Sequence, residues 1–409
     1  MRSKAIASLV ALAAILSAQQ WKLAVPGYRY EFPRDHFSHP DYQTEWWYYT
    51  GNLRTSDGHR FGFEVTFFRE GIRLSKQQAA ESNATWRPDQ VYLAHLALSD
   101  IDGQEFFHTE RLNRAGPGLA GSSLDRQRYW NGNWQVRWLS LTSGEQELQA
   151  VCNRFTLHLK LKPGKPLVIH GKDGVSQKGP LPGEASHYIS FTRLSVAGEL
   201  SGWKDRSYSL TGLTWMDHEF FSQTADETLA GWDWFAIQLN NNEELMLYRL
   251  RKKSGEWDAF SSGTYVDRQG HAHFLGASDF SLTPGETWRS SASGARYPVA
   301  WNIAIPCLQL ELSEQPLLND QELFTKDGVT PTYWEGAVAY AGHIHSQSVQ
   351  GVGYLEMTGY ASAPAGDTLK NEAREPARPR PSDASAPATP KAARRRRSKR
   401  PPRPTHSAR

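Results

Sequence analysis

Asp217 and Glu219 lie two residues apart in Trp215-Met-Asp-His-Glu219, with bulky aromatics close on either side. Side chains alternate along a strand, so a strand over 213–221 turns Trp215, Asp217, Glu219 and Phe221 to one face and Met216, His218 and Phe220 to the other. Two carboxyls that close, partly withdrawn from water, push one pKa upward until one group stays protonated near neutral pH. A neutral acid beside an apolar pocket can deliver a proton to carbon, after which water captures the cation; this is what hydration of an unactivated double bond requires. The faces of Trp215, Trp232 or Trp234 would stabilise such a cation by roughly 0.5 to 2 kcal/mol each. The plainer alternative is structural: Asp217 and Glu219 hold a loop by hydrogen bonds, or pair with Arg193 or Arg249.

A second dense segment, HPDYQTEWWYYTGNL, runs from His39 to Leu53. On a strand, Glu45, Trp47 and Tyr49 share one face while Trp46, Tyr48 and Thr50 take the other. One aromatic set can then line a barrel and the other pack outside it or between domains. Glu45 is a candidate polar contact at a pocket mouth, or it closes a barrel end by bonding backbone amides. Trp232 and Trp234 read either as core or as pocket wall. The histidine pairs His36/His39, His271/His273 and His343/His345 supply no set of three or four convergent ligands, so no metal is expected. No phosphate-cradling glycine loop, zinc-protease helix motif or GxSxG elbow occurs, and no cofactor is expected.

The elements that must position these residues are short strands. Arg60–Phe68, Val91–Leu98, Trp134–Trp138, Phe155–Leu161, Trp232–Leu239 and Glu244–Leu250 all suit half-buried strands. Asp57-Gly58, Asp102-Gly103, Asp173-Gly174, Asn240–Asn242 and Arg268–Gly270 divide them with turns. Helical periodicity is scarce, its best candidate being Ser75 to Ser82. Regular strands with turns between them indicate sandwiches or barrels. The stretches before and after about Gln223 are similar in texture.

Both ends differ from this core. Residues 1–18 combine Arg2 and Lys4 with a short apolar run and small residues, the pattern of a cleavable secretory signal. Periplasmic or secreted location is therefore expected. Residues 361–409 hold no Phe, Trp or Tyr and carry a net charge of +9, against −6 for the rest. This Pro/Ala/Arg-rich tail is expected to stay disordered. It can contact an anionic surface; on an exported protein, specific nucleic-acid binding is not expected. Cys152 and Cys307 are far apart, and no disulfide is expected.

Several segments together carry a family resemblance. They are His39 to Leu53, Ser186–Arg193, Gly212–Glu219, Gly231–Phe235, Leu245–Arg249, Trp334–Gly336 and Gly351–Gly359, in order over nearly everything between signal and tail. In these the chain resembles the AttH-like and carotenoid hydratase family, whose members are all-β, with two lipocalin-like antiparallel β-barrel domains in tandem. The resemblance implies domains over 19–225 and 226–360, followed by the tail. It also implies a hydrophobic small molecule or lipid, isoprenoid or lipid-like, bound at or near the domain junction.

In carotenoid hydratases the acid lies in a Tyr-x-Asp-His-Asn-type segment, supported by a histidine on a preceding strand. Asp217 and His218 match that segment, and His187 matches the upstream histidine. Trp215 stands for the tyrosine and Glu219 for the asparagine, which moves the sequence toward the AttH-like branch, often encoded beside an ABC-type export transporter. The enzyme reading is a hydro-lyase with Asp217 as proton donor, Glu219 as modulator of its pKa, and His187 and His218 as orienting or relay groups. Glu45, Trp47, Tyr49, Trp215, Trp232 and Trp234 would line the ligand site. The alternative is a non-enzymatic carrier or accessory protein of an envelope ABC transporter.

Overall fold

The long described segments run as strands because their aromatic and β-branched residues suit a pleated, half-buried surface. The computed structural model describes residues 21–72, 89–222, 228–325 and 331–361 of the 409. The expected leader over 1–18, the helix candidate over 75–82, the tail from 362 onward and the expected boundary between 225 and 226 lie outside these residues. Among the described residues helix is limited to two short 3-10 turns, Arg34–His36 and Pro306–Leu308.

The first sheet opens with a meander of β1 (Thr44–Arg54), β2 (Arg60–Gly71), β3 (Gln90–Asp100) and β4 (Glu105–Arg114). Shorter strands follow: β5 (Ala120–Ser123), β6 (Arg128–Asn131), β7 (Trp134–Trp138), β8 (Gln146–Val151) and β9 (Thr156–Pro163). After the two-residue β10 (Val168–Ile169) and β11 (Ser176–Gln177) come the long β12 (Ala185–Trp203) and β13 (Arg206–Phe221). The hydrogen-bonded order is β4-β3-β2-β1-β13-β12-β9-β8-β7-β6-β5, with β10 and β11 on β12.

The second sheet contains β14 (Leu229–Leu239), β15 (Glu244–Lys252), β16 (Ser262–Val266), β17 (Ala272–Gly276) and β18 (Ser281–Pro284). A separate hairpin, β19 (Thr287–Arg289) and β20 (Arg296–Pro298), precedes β21 (Trp301–Ile305) and β22 (Leu310–Pro316). Then come β23 (Glu322–Leu323), β24 (Tyr333–Ile344) and β25 (Gln347–Met357). The order is β17-β16-β15-β14-β25-β24-β22-β21-β18, with β23 on β24. The result is the all-β pair of curled antiparallel barrels that the strand spacing and the resemblance lead one to expect.

Curling brings the ends of the first sheet together through side chains. Asn113 Nδ2 donates to Asn131 Oδ1 at 2.6 Å, and Arg111 donates to the Val151 carbonyl at 2.7 Å. Each barrel interior is filled: Trp47, Tyr49, Phe63, Trp134, Leu159 and Met216 are among the residues of the first core, and Phe235, Leu247, Trp301, Leu312, Trp334 and Tyr340 of the second.

A third apolar cluster lies between the barrels, where Tyr48, Tyr188 and Trp215 meet Trp234, Met246, Tyr248 and Tyr354. Strand β1 is thus buried on both faces, and its consecutive aromatics serve different cores. The backbones come close at this seam: a Cβ added to Gly62 on β2 would lie 2.7 Å from Ala337 Cβ and 2.8 Å from the Tyr354 hydroxyl. Polar contacts fix the docking, including His95 to the Tyr333 hydroxyl at 2.6 Å and Lys165 to Glu244 at 2.7 Å.

Candidate active site

Cross-strand register settles which face each candidate occupies. Asp217 on β13 stands opposite Tyr48 on β1 and Ser190 on β12. Residues directly opposite in an antiparallel pair project to the same side, and here that side is the seam between the barrels. Asp217 is 3% exposed and accepts three neutral hydrogen bonds. Tyr188 donates to Oδ2 at 2.6 Å, Trp215 Nε1 donates to Oδ1 at 2.6 Å, and the Ser190 hydroxyl also donates to Oδ1. Burial raises this carboxyl to about 7, against the pull of the three donors, and Glu219 adds a smaller push upward. Burial, rather than the paired carboxyl expected from sequence, is therefore the main cause.

A relay stands behind Ser190. His170 Nε2 lies 2.7 Å from Ser190 Oγ and its Nδ1 lies 2.8 Å from Thr264 Oγ1. Burial lowers the His170 pKa to about 3, so the ring is neutral. Because Ser190 donates to Asp217, it accepts from His170 Nε2–H, which leaves Nδ1 to accept from Thr264. This chain of donors leads across the seam from β16 to the acid.

Glu219 shares the seam face but has its own partner. Lys178 Nζ lies 3.2 Å from Glu219 and 4.1 Å from the ring centroid of Tyr248, and the Ser186 hydroxyl donates to the same carboxylate. Burial works against the ammonium, but Glu219 and Tyr248 outweigh it and hold the Lys178 pKa above its ordinary value. Neither arginine considered from sequence is the partner: Arg193 binds Glu244, and Arg249 lies 3.6 Å from Asp233.

The expected catalytic set divides across the sheet. His187 pairs with Phe220 on the barrel-1 side, packs 4.3 Å from the Tyr28 ring, and lies 3.2 Å from the Gly174 carbonyl. His218 likewise points into the first barrel, 2.8 Å from Glu45. Neither histidine shares the seam face with Asp217, because odd and even positions of β13 project oppositely. His218 thus lies on the face opposite Asp217, as alternation along 213–221 leads one to expect, and neither histidine expected as an orienting or relay group touches the acid.

Glu45, Trp47 and Tyr49 are also on the barrel-1 side, each 0% exposed. Trp47 stacks on Tyr129 and His218, and Tyr49 donates to Gln146 Oε1 at 2.5 Å, so both are core. Glu45 accepts from the His39 amide at 2.9 Å, His39 Nδ1 at 2.7 Å and Arg69 Nε at 2.8 Å. It therefore closes a barrel end, the second of the two readings its sequence position allows.

Burial alone would raise the Glu45 carboxyl; Arg69, His39 and His218 hold it well below the usual range. One atom each of His39, Glu45 and His218 lie within 4.8 Å of one another, a convergence that sequence spacing did not reveal. The Arg69 guanidinium supplies positive charge there, and Glu45 and Asp35 outweigh burial to hold the His39 pKa above its ordinary value.

Of the tryptophans, Trp215 and Trp234 join Asp217: Trp234 Nε1 donates to the Tyr188 hydroxyl at 3.0 Å, and the two indoles pack edge to face at 6.2 Å. Trp232 is 39% exposed, further along the same edge of the seam. Sequence reasoning missed Tyr188, Ser190, His170 and Lys178. Alternation within Ser186–Arg193 puts Tyr188 and Ser190 on one face and so contained their signal; His170 and Lys178 had none.

The AttH-like family model matches residues 23–360. The crystal structure of a putative AttH from Nitrosomonas europaea is 33% identical, with a TM-score of 0.74, covering 83% of this chain and 100% of that one. Kievitone hydratase from Nectria haematococca shares the fold at 15% identity and a TM-score of 0.62, covering 83% of this chain and 96% of that one. No curated protein matches. The chain belongs to the AttH-like family.

Proposed function

We propose that this protein is a hydratase-type hydro-lyase acting on a carbon–carbon double bond of a hydrophobic, isoprenoid or lipid-like ligand at the seam between its barrels. The carrying observation is Asp217: a buried carboxyl with neutral hydrogen-bond partners, raised to about 7, that is protonated in part at neutral pH. Its proton forms a new C–H bond, the double-bond electrons leave a cation on the neighbouring carbon, and water forms the C–O bond. The proton lost by that water restores the acid. Tyr188, Ser190 and Trp215 stabilise the transient carboxylate, because each donates to it. The likeness to kievitone hydratase supports the reading through the shared fold.

The gap beside Trp215, edged by Thr50, Gln238 and Tyr354, leaves no room even for a water molecule. Ligand pockets typically occupy ~300–1,000 Å³, so entry requires seam side chains to swing aside. Export through the leader over residues 1–18 belongs to the same proposal; the alternative is a non-enzymatic carrier or accessory protein of an envelope ABC transporter.

The test is to express the full chain with export, extract it with organic solvent and identify bound molecules by mass spectrometry. A stoichiometric isoprenoid or lipid supplies the substrate. Asp217→Asn should then retain ligand and lose turnover by roughly 10²–10⁴-fold, the usual weight of general acid catalysis. Ligand binding without turnover in the native protein makes it a carrier.

A further inference from the structure

The seam carries more carboxyl groups than its neighbours neutralise. Glu335 on β24 and Glu356 on β25 stand directly opposite each other, with Cβ atoms ~5 Å apart by ladder geometry. Glu64 approaches from β2, two residues from the Gly62 contact with Ala337 and Tyr354. Glu64 and Glu335 are 0% and 1% exposed, and the Oε2 atom of each has no hydrogen-bond partner among the described residues. Like charges facing each other across a ladder are destabilising, and so is an unpartnered buried carboxyl. Lys178 is paired with Glu219, though it also favours ionised Glu356, and Lys165 is paired with Glu244.

Aromatic rings surround these acids. Trp234 is the ladder partner of Glu356, Tyr48 donates to Glu335 at 2.5 Å, and Tyr48 packs edge-on to Trp234 at 5.3 Å. The seam already seats one cation in this manner, since Lys178 Nζ lies over Tyr248 at 4.1 Å and over Tyr188 at 5.4 Å while pairing with Glu219. A divalent metal does not suit the three glutamates: among the described residues, the convergent metal-ligand group is His39, Glu45 and His218 instead.

We infer that the seam takes an amphiphile with an amine or quaternary ammonium head, placed between Glu335 and Glu356 against the faces of Trp234 and Tyr48. This rests on the seam being the ligand site and adds the charge of the ligand. The same surroundings suit the positive charge that develops on carbon during hydration, so a stable ammonium also mimics that cation. Burial, with repulsion from Glu356 and Glu64, holds Glu335 well above the carboxylate range; burial, with a push from Glu356, raises Glu64 to about 8; and burial, with Glu219 and Asp217 pushing up against the pull of Trp232 and Lys178, raises Glu356 to about 7. The other titratable groups facing this seam include Asp217, Glu219, Lys178, His95, His170 and the Lys165–Glu244 pair, with the phenols Tyr48, Tyr188, Tyr248, Tyr333 and Tyr354. Seating a cation ionises the acids and releases protons, so affinity rises with pH between 6 and 8.

The experiment titrates the full-length protein with decyltrimethylammonium, decanol and decanoate, each below its micelle concentration. Tryptophan fluorescence gives affinity, and calorimetry in two buffers of different ionisation heat gives proton release. The expected result is ammonium binding about tenfold tighter than decanol, as one or two cation–π contacts supply, tightening from pH 6 to 8 with protons released. Glu335→Gln with Glu356→Gln should reduce the ammonium to the affinity of decanol. If the double variant fails to fold, Glu356→Gln alone decides, and an unchanged preference there overturns the inference. Equal affinity for ammonium and decanol, or preference for decanoate, also overturns it while leaving an apolar ligand site. Failure of all three probes to bind removes the ligand site as well.

Discussion

The Tyr188 hydroxyl donates to Asp217 at 2.6 Å and accepts from Trp234 Nε1 at 3.0 Å. One phenol therefore couples the acid of the first barrel to the indole of the second. Parting of the barrels at this point removes a donor from Tyr188, which in turn changes how well Tyr188 stabilises the Asp217 carboxylate. Docking of the barrels and acidity at the seam are linked through this group.

Tyr188→Phe deletes that link with little change in volume. A hydrogen bond to a charged group is worth about 1.5–3 kcal/mol, and one pKa unit corresponds to about 1.4 kcal/mol. The Asp217 midpoint, already raised to about 7, should move upward by on the order of one unit. Carbon-13 NMR of labelled aspartate, with Asp217→Asn to assign the resonance, measures it. An unmoved midpoint would show that Tyr188 does not govern this acid.

Stability should be greatest in mildly acidic solution. Asp217 at about 7 and Glu64 at about 8 bind protons more tightly in the folded chain than their ordinary values of 3.8 and 4.5 allow unfolded. Their contribution is complete below about pH 4 and is lost as pH rises through 7 to 8. Glu45, held low, and Asp100, lowered to about 2, contribute oppositely, above their unfolded values, and lose this as pH falls. The denaturant midpoint should decline from pH 5 to 8.5, and Glu64→Gln should flatten that decline by on the order of 1–3 kcal/mol. A wild-type profile that rises over this range would refute the assignment.

Much of this arrangement was legible in the sequence, because alternation is strict. It separated Trp47 and Tyr49 from Tyr48, and Asp217 and Glu219 from His218, and each separation holds in the cross-strand register. Alternation does not say which face turns inward: Trp47 and Tyr49, expected to line a ligand site, fill the first barrel, and Glu45 takes its barrel-closing alternative. The Tyr48–Glu335 bond joins residues 287 positions apart in different sheets, and no local pattern encodes such a pairing. His170 lies beyond the two-residue strand β10 and reaches Asp217 only through Ser190; its neighbours in sequence carry no sign of that contact.

Arg69→Met separates closure of the barrel end from chemistry at the seam. Arg69 and Glu45 are both 0% exposed, and the guanidinium also donates to the Tyr42 carbonyl at 2.7 Å. Removing one member of a buried pair typically costs 3–5 kcal/mol, because the other charge is left uncompensated. The melting temperature should fall sharply, whereas the Asp217 midpoint should stay in place because the sheet lies between. A shift of that midpoint in the folded variant would mean that the two networks communicate.

Gly62→Ala tests how closely the barrels must dock. The added methyl would meet Ala337 Cβ at 2.7 Å and the Tyr354 hydroxyl at 2.8 Å, both from the second barrel. Real Cβ contacts are longer, so either β2 or the facing strands must yield, and overpacking of this kind costs about 1–3 kcal/mol. Gly62 lies on the seam, outside both filled cores, so the two interiors can stay intact while the seam widens. Trp234 should then lose its bond to Tyr188 before either barrel unfolds, giving a red-shifted fluorescence component at low denaturant. A single cooperative transition with unchanged native emission would show that the seam absorbs the methyl group without parting.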